Sequence, residues 1–172
     1  QPVARHMAGL LEKKTGKSIS TTHPLRMSKE EYIEARAWAD DHFSFVMPER
    51  PTLSEVLRLM RVQVKRRGVQ GIVIDPWNEI EHVRTDGVSE TEYISIALTE
   101  LRNFARNNRV HLWIVAHPTK LQKDKNGDYP VPTPYDVAGA AHWRNKADNS
   151  ITVWRDVGDP STRVTQIHVQ KV

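Results

Sequence analysis

Two places in the chain could do similar chemistry. The stretch "GIVIDPWNEIEH", from Gly71 to His82, runs through apolar residues into a carboxylate, Asp75, and then a proline. Further on, "VHLWIVAHP" runs from Val110 through apolar residues into an imidazole, His117, and again a proline. Apolar runs of this length read as buried strands, with the chain breaking out at the end. In an open α/β sheet, ligands sit at the carboxyl ends of the strands. Asp75 therefore reads as a metal- or phosphate-site acid or as a turn-forming cap, since Asp before Pro also favours turns. His117 has the same two readings, ligand contact or capped strand end before Pro118. If the two strands are neighbours, their side chains meet at one edge of a site, a stronger signal than either residue alone.

More candidates follow His117. Residues 119–134 form a long loop carrying Lys120, Lys123 and Lys125. Lysines on a loop suit backbone phosphates, which need charge and no base reading; the competing reading is a solvated loop. Beyond it, "AGAAHWRNKADN" holds Gly139, His142, Trp143, Arg144 and Lys146. Trp143 could stack a base, although a buried Trp is the commoner fate. Asp75, His82, His117, Asp136 and His142 also supply oxygen and nitrogen donors in number, as a metal-dependent hydrolase would need. No H-x-H, H-E-x-x-H or D-x-D spacing joins them.

The elements that must position these residues follow from periodicity and caps. Val3, Met7, Leu10 and Leu11 predict a helix over 2–15, stopped by Gly16. Residues 17–27 are a polar loop. Ser28 with Glu31 is a capping box opening a second helix to about Asp41. Phe43 to Met47 predicts a short strand closed by Pro48 and Pro51. Thr52 with Glu55 is another capping box, opening a third helix whose apolar face is Leu53, Val56, Leu57, Met60 and Val64 and whose stop is Gly68. The Asp75 strand follows, then a polar loop over 83–88. Ser89 with Glu92 opens a helix bearing Tyr93, Ile94, Ala97, Leu98, Leu101 and Phe104. Val110 to Ala116 is the His117 strand. Asp148 to Trp154 and Val164 to Val172 predict two last strands, joined by a turn at Gly158 to Pro160. Strands alternating with helices predict a parallel sheet covered by helices, and hence an α/β fold.

Composition sets the outer bounds. With 172 residues, 38% apolar and 27% charged, the chain has the make-up of one ordinary globular domain. No apolar run is long enough for a membrane span, and no secretory signal stands at Gln1. The absence of cysteine rules out disulfides and thiolate metal sites. A net charge of +4 permits a polyanionic partner without requiring one.

Taken in order, "GIVIDPWNEI", "ETEYISIALTELRNFARNNRVHLWIVAHPTKL" and "PTPYDVAGAAHWRNKADNSITVWRD" resemble the RecA-like helicase domain of the DnaB-like replicative helicases, nearest to the phage primase–helicases and Twinkle. The resemblance is good over about residues 69–172 and looser before. It implies a RecA-like core, with a mostly parallel sheet flanked by helices and C-terminal strands possibly antiparallel. Asp75 matches the Walker B acid, which holds the nucleotide's Mg²⁺ through water. His117 matches the residue that contacts the γ-phosphate of ATP and reports the nucleotide state to the DNA-binding loop. The lysine loop matches that DNA-binding loop. Gly139, His142, Trp143, Arg144 and Lys146 match a following motif where the family places further DNA contacts and inter-strand packing. Lys171 matches a lysine that reaches a neighbouring subunit's phosphates.

What the resemblance implies for the parent protein is an ATP- and Mg²⁺-dependent DNA helicase that translocates on single-stranded DNA as a homo-oligomer, a hexameric ring. It implies a cytoplasmic setting, bacterial or phage-encoded, with a mitochondrial one as the alternative. No G-x-x-x-x-G-K-[ST] phosphate loop occurs in the sequence. The phosphate loop and catalytic glutamate are expected upstream of Gln1, and an arginine finger beyond Val172. Residues 1–172 alone are then a partial RecA-like domain, expected to hydrolyse ATP hardly at all, because phosphoryl transfer is mostly positioning and charge neutralisation. The rival reading of the same pattern is a RecA-like module serving DNA binding or assembly without catalysis.

Overall fold

A computed structural model describes residues 3–84, 86–125, 127, 129–139, 141–156 and 164–172. The backbone forms two compact units, residues 1–47 and 48–172.

In the first unit, α1 (Val3–Thr15) stops at Gly16, whose φ of +69° suits a residue without Cβ. α2 (Lys29–His42) opens on the expected capping box: the Glu31 N–H donates to Ser28 Oγ and the Ser28 N–H donates to Glu31 Oε2. The two helices bury Met7, Leu11, Ala35 and Ala39 together with Met27 from the connection. The short strand predicted over 43–47 is absent. Phe43 is extended, with φ −124° and ψ 142°, but a strand exists only through a ladder, and no described strand in this unit offers one. Phe43, Phe45, Val46 and Met47 remain exposed.

The second unit begins with α3 (Leu53–Arg67), capped by Thr52 at the Glu55 N–H and closed by Gly68 at φ +63°. It leads into β1 (Gly71–Ile74). α4 (Glu90–Asn108) starts under the Ser89 cap and buries Ile94, Ala97, Leu98, Leu101 and Phe104, one helical stripe. It turns at Arg109, left-handed at φ 54°, into β2 (His111–Ile114). β1 and β2 pair in parallel, with Gly71 opposite His111 and Ile74 opposite Ile114. Met60, Ile74, Trp77, Ile80 and Val110 complete the core built on α4.

After the loop come α5 (Ala141–Lys146), β3 (Ser150–Trp154) and β4 (Gln166–Lys171), the last two pairing antiparallel with Val153 opposite Ile167. The architecture is α/β, a parallel strand–helix–strand crossover followed by an antiparallel pair. The turn expected at Gly158 to Pro160 lies outside the described residues. α5 was not evident from the sequence, since six residues carry too little periodicity to betray a helix. β1 also differs from the fully buried strand its composition suggests. Ile72, Ile74, Leu112 and Ile114 face the core, whereas Val73 and its partner Trp113 are 62% and 50% exposed. A strand is buried on both faces only when both are covered, and within this unit the core covers one.

Candidate functional site

The parallel ladder brings the two ionisable strand ends to one edge. Ile74 and Ile114 are the last paired residues, and the Val115 N–H still donates to the Ile74 carbonyl at 2.9 Å. Asp75 follows directly, exposed, and joins Pro76 through a cis peptide bond. The chain then folds back over β2, where the Trp77 N–H donates to the Val115 carbonyl at 2.7 Å. This sets Asn78 so that its Oδ1 accepts the His117 N–H at 3.2 Å. The exits of β1 and β2 are thus stitched to each other by main-chain and side-chain bonds. Asp75 and His117 both stand exposed at this edge, on a base fixed by the core residue Trp77. Asn78 is a positioning residue that sequence reasoning left without a role; the signal available was an amide three residues past the strand-end acid.

Asp136 governs the loop that follows. Its Oδ2 accepts both the N–H and the hydroxyl of Thr133, at 2.7 and 2.8 Å. Its carbonyl accepts both the N–H and the hydroxyl of Thr119, at 2.7 and 2.8 Å. The two ends of the loop therefore close on one residue. Thr133-Pro-Tyr-Asp136 is a capping box, a pattern visible in the sequence itself. Farther out, Lys120, Lys123 and Lys125 are exposed, and the Lys123 ammonium lies 5.3 Å from the Tyr129 ring centre. Among the described residues, no three His, Cys, Asp or Glu side chains gather as a metal site would require, so the structure does not bring Asp75, His82, His117, Asp136 and His142 together.

The residues of "AGAAHWRNKADN" are heavily engaged within the chain. At Gly139, φ is +82°, and a Cβ built there would lie 2.9 Å from Ile94, a fully buried residue. Trp143 is half-buried and edge-on to Trp77 at 5.4 Å, and its indole N–H donates to the Ala138 carbonyl at 2.7 Å. Of its two readings, packing against the core is the one realised here. The Lys146 ammonium donates to the Ser95 carbonyl, to Ser95 Oγ and to Thr99 Oγ1 on α4. An ammonium has three donors, so none is left for a phosphate in this conformation. Arg144 donates from Nη1 to the Gln170 carbonyl at 2.7 Å and keeps the rest of its fork. Lys171 donates to the carbonyls of Arg144 and Ala147, at 2.9 and 2.7 Å, placing a cation at the C-terminal end of α5 and keeping one donor in reserve.

His82 has a structural place. Its ring lies 5.1 Å from Trp77 and 5.0 Å from Tyr93, and its Nε2 is buried without a hydrogen-bond partner. Burial holds its pKa below the ordinary value. Among the described residues, no helix is long and apolar enough to cross a membrane.

Comparison with known proteins adds two findings. The chain is 41% identical over 152 residues to the chloroplastic/mitochondrial Twinkle homolog protein of Arabidopsis thaliana; the match takes in 86% of this chain and 21% of that protein. It superposes at a TM-score of 0.72, with 14% identity, on a DnaB-like replicative helicase solved for its interactions with primase, over 99% of this chain and 44% of that one. The chain thus spans about a fifth of the first protein and under half of the second. No family model matches.

Proposed function

As a chain related to Twinkle in sequence and carrying the RecA-like fold of the DnaB-like replicative helicases, this one, we propose, is the C-terminal part of an ATP-driven DNA helicase motor. The observation that carries the reading is the stitched strand edge, where Asp75 directly follows β1 and His117 lies three residues past the end of its parallel neighbour β2.

The residues present fit a magnesium nucleotide. A hard cation wants oxygen ligands, and Asp75 offers an exposed carboxylate on a rigid strand end. His117 offers a ring N–H to a phosphate oxygen, its backbone fixed by Asn78. When bound, Mg²⁺-ATP supplies the phosphoryl group whose transfer to water drives the motor. Asp75 would hold the metal and His117 would touch the terminal phosphate. From His117 the chain runs in two residues to Thr119, where Asp136 clasps the lysine loop. A change of phosphate contact at His117 therefore has a short covalent route to that loop.

In this reading Lys120, Lys123 and Lys125 grip the phosphates of single-stranded DNA, within a ring of like subunits. Gly139, Trp143 and Lys146 act for DNA indirectly, by holding the loop's frame, and Arg144 has donors to spare for a phosphate. Lys171 has one donor to extend to a neighbouring subunit's nucleotide.

The test uses the full-length protein that contains this chain. Asp75→Ala should abolish Mg²⁺-dependent, DNA-stimulated ATPase while leaving the melting temperature unchanged, because the side chain is exposed. The triple alanine replacement of Lys120, Lys123 and Lys125 should weaken DNA binding and flatten its salt dependence, since fewer counterions are released. His117→Ala should remove the difference in DNA affinity between an ATP analogue and ADP. Normal turnover in Asp75→Ala would overturn the motor reading.

A further inference from the structure

The loop carries two aromatic rings as well as lysines, and each ring sits beside a cation. Tyr129 is 46% exposed, with the Lys123 ammonium 5.3 Å from its centre. Tyr135, next to the clasp residue Asp136, is 53% exposed, with the Arg144 guanidinium 5.8 Å from its centre. A tyrosine fully engaged in a core would not leave half its surface in water, and neither belongs to the buried cluster of this unit. Arg144 is held in place by the Gln170 carbonyl, so its approach to Tyr135 is anchored from the protein side.

A ring has two faces. A cation over one face is attracted by the ring quadrupole and leaves the other open. An open aromatic face beside fixed positive charge is the arrangement by which single strands are held without sequence preference: charge takes the phosphates and the ring takes a base. Every base has a π-face, so such a contact tolerates any sequence. We infer that Tyr129 and Tyr135 stack bases of the single strand whose phosphates the lysine loop holds. The inference rests on the reading of that loop given above. It adds a second component to binding, one that salt does not screen.

The probes are an oligothymidylate and an abasic strand of the same length, each titrated over a salt series against the full-length protein. Tyr129→Leu and Tyr135→Leu should each weaken oligothymidylate binding about tenfold, and the slope of log affinity against log salt should stay at its wild-type value. The corresponding Phe variants, which keep the ring, should bind as the wild type does. On the abasic strand, wild type and Leu variants should bind alike. Unchanged oligothymidylate affinity in the Leu variants overturns the inference. So does an equal loss on both strands, which would mean the rings act only by packing. The triple lysine variant separates the two readings. If its affinity and slope match the wild type, the loop reading falls whatever the tyrosines do. If it weakens while the Leu variants do not, stacking alone falls.

Discussion

Asp136 holds Thr133 by two bonds from one carboxylate oxygen, at 2.7 Å to the backbone N–H and 2.8 Å to the hydroxyl. Because its carbonyl also receives Thr119, the neck of the lysine loop depends on where this one residue sits. Asp136→Ala removes the carboxylate bonds and keeps the carbonyl ones. A lost cap of this kind costs about 1 kcal/mol. The variant should melt lower and bind single-stranded DNA more weakly, with an unchanged salt slope because every lysine remains. Asp136→Asn, which can still accept, should fall between. DNA affinity equal to wild type in Asp136→Ala would mean that the neck does not matter to the grip.

Lys171 offers a test of two roles in one side chain. Its contacts with the carbonyls of Arg144 and Ala147 stabilise the end of α5, an interaction worth roughly 0.3–1 kcal/mol. Lys171→Met should lower stability by about that amount. If the remaining donor serves a neighbour's nucleotide, turnover of the full-length protein should drop by far more than such a loss explains. Wild-type turnover would reduce Lys171 to a helix cap.

Gly139 is required on two independent counts. Its φ of +82° is unfavourable for any residue with a Cβ, and that Cβ would press on Ile94 at 2.9 Å. Left-handed backbone costs about 1 kcal/mol, and overpacking a tight core adds about 1–3 kcal/mol. Gly139→Ala should therefore lower stability by ~3 kcal/mol, read as the midpoint of urea unfolding. A shift of less than a third of that would show that the segment relaxes away from α4.

His82 predicts a pH dependence. Burial lowers its pKa below the ordinary 6.5, so the folded state favours the neutral ring. As pH falls below 6.5 the unfolded chain takes up a proton that the folded chain resists. Stability contributed here is complete above 6.5 and is lost as pH falls through the folded-state value. Glu31, lowered by its bond from Lys17, and Glu55, lowered by Arg58, start from 4.5 and lose their contributions at more acid pH. Unfolding free energy should accordingly decline as pH falls below 6.5, and His82→Gln should flatten that decline. An unchanged profile in the variant would show that another group carries it.

The sequence by itself determined α1 to α4, the caps of α2, α3 and α4, and the alternation that makes the fold α/β; α5 was too short to show. Capping boxes and apolar stripes are local, set by residues three and four apart, so Ser28, Thr52, Ser89 and Gly68 could be read in order. It also determined that Asp75 directly follows a strand, whereas the strand expected to run to Ala116 ends at Ile114, three residues before His117. Tertiary structure alone decided that those strands are neighbours, because a register such as Ile74 opposite Ile114 depends on contacts far apart in the chain. It likewise decided the fate of the residues after the loop. Trp143 and Lys146 have the composition of a DNA contact, and only their position against Trp77 and Ser95 shows the one packed and the other with every donor used. The strand expected at 43–47 failed for the same reason: its residues favour extended backbone, but a strand needs a partner, and a partner is not written in local sequence.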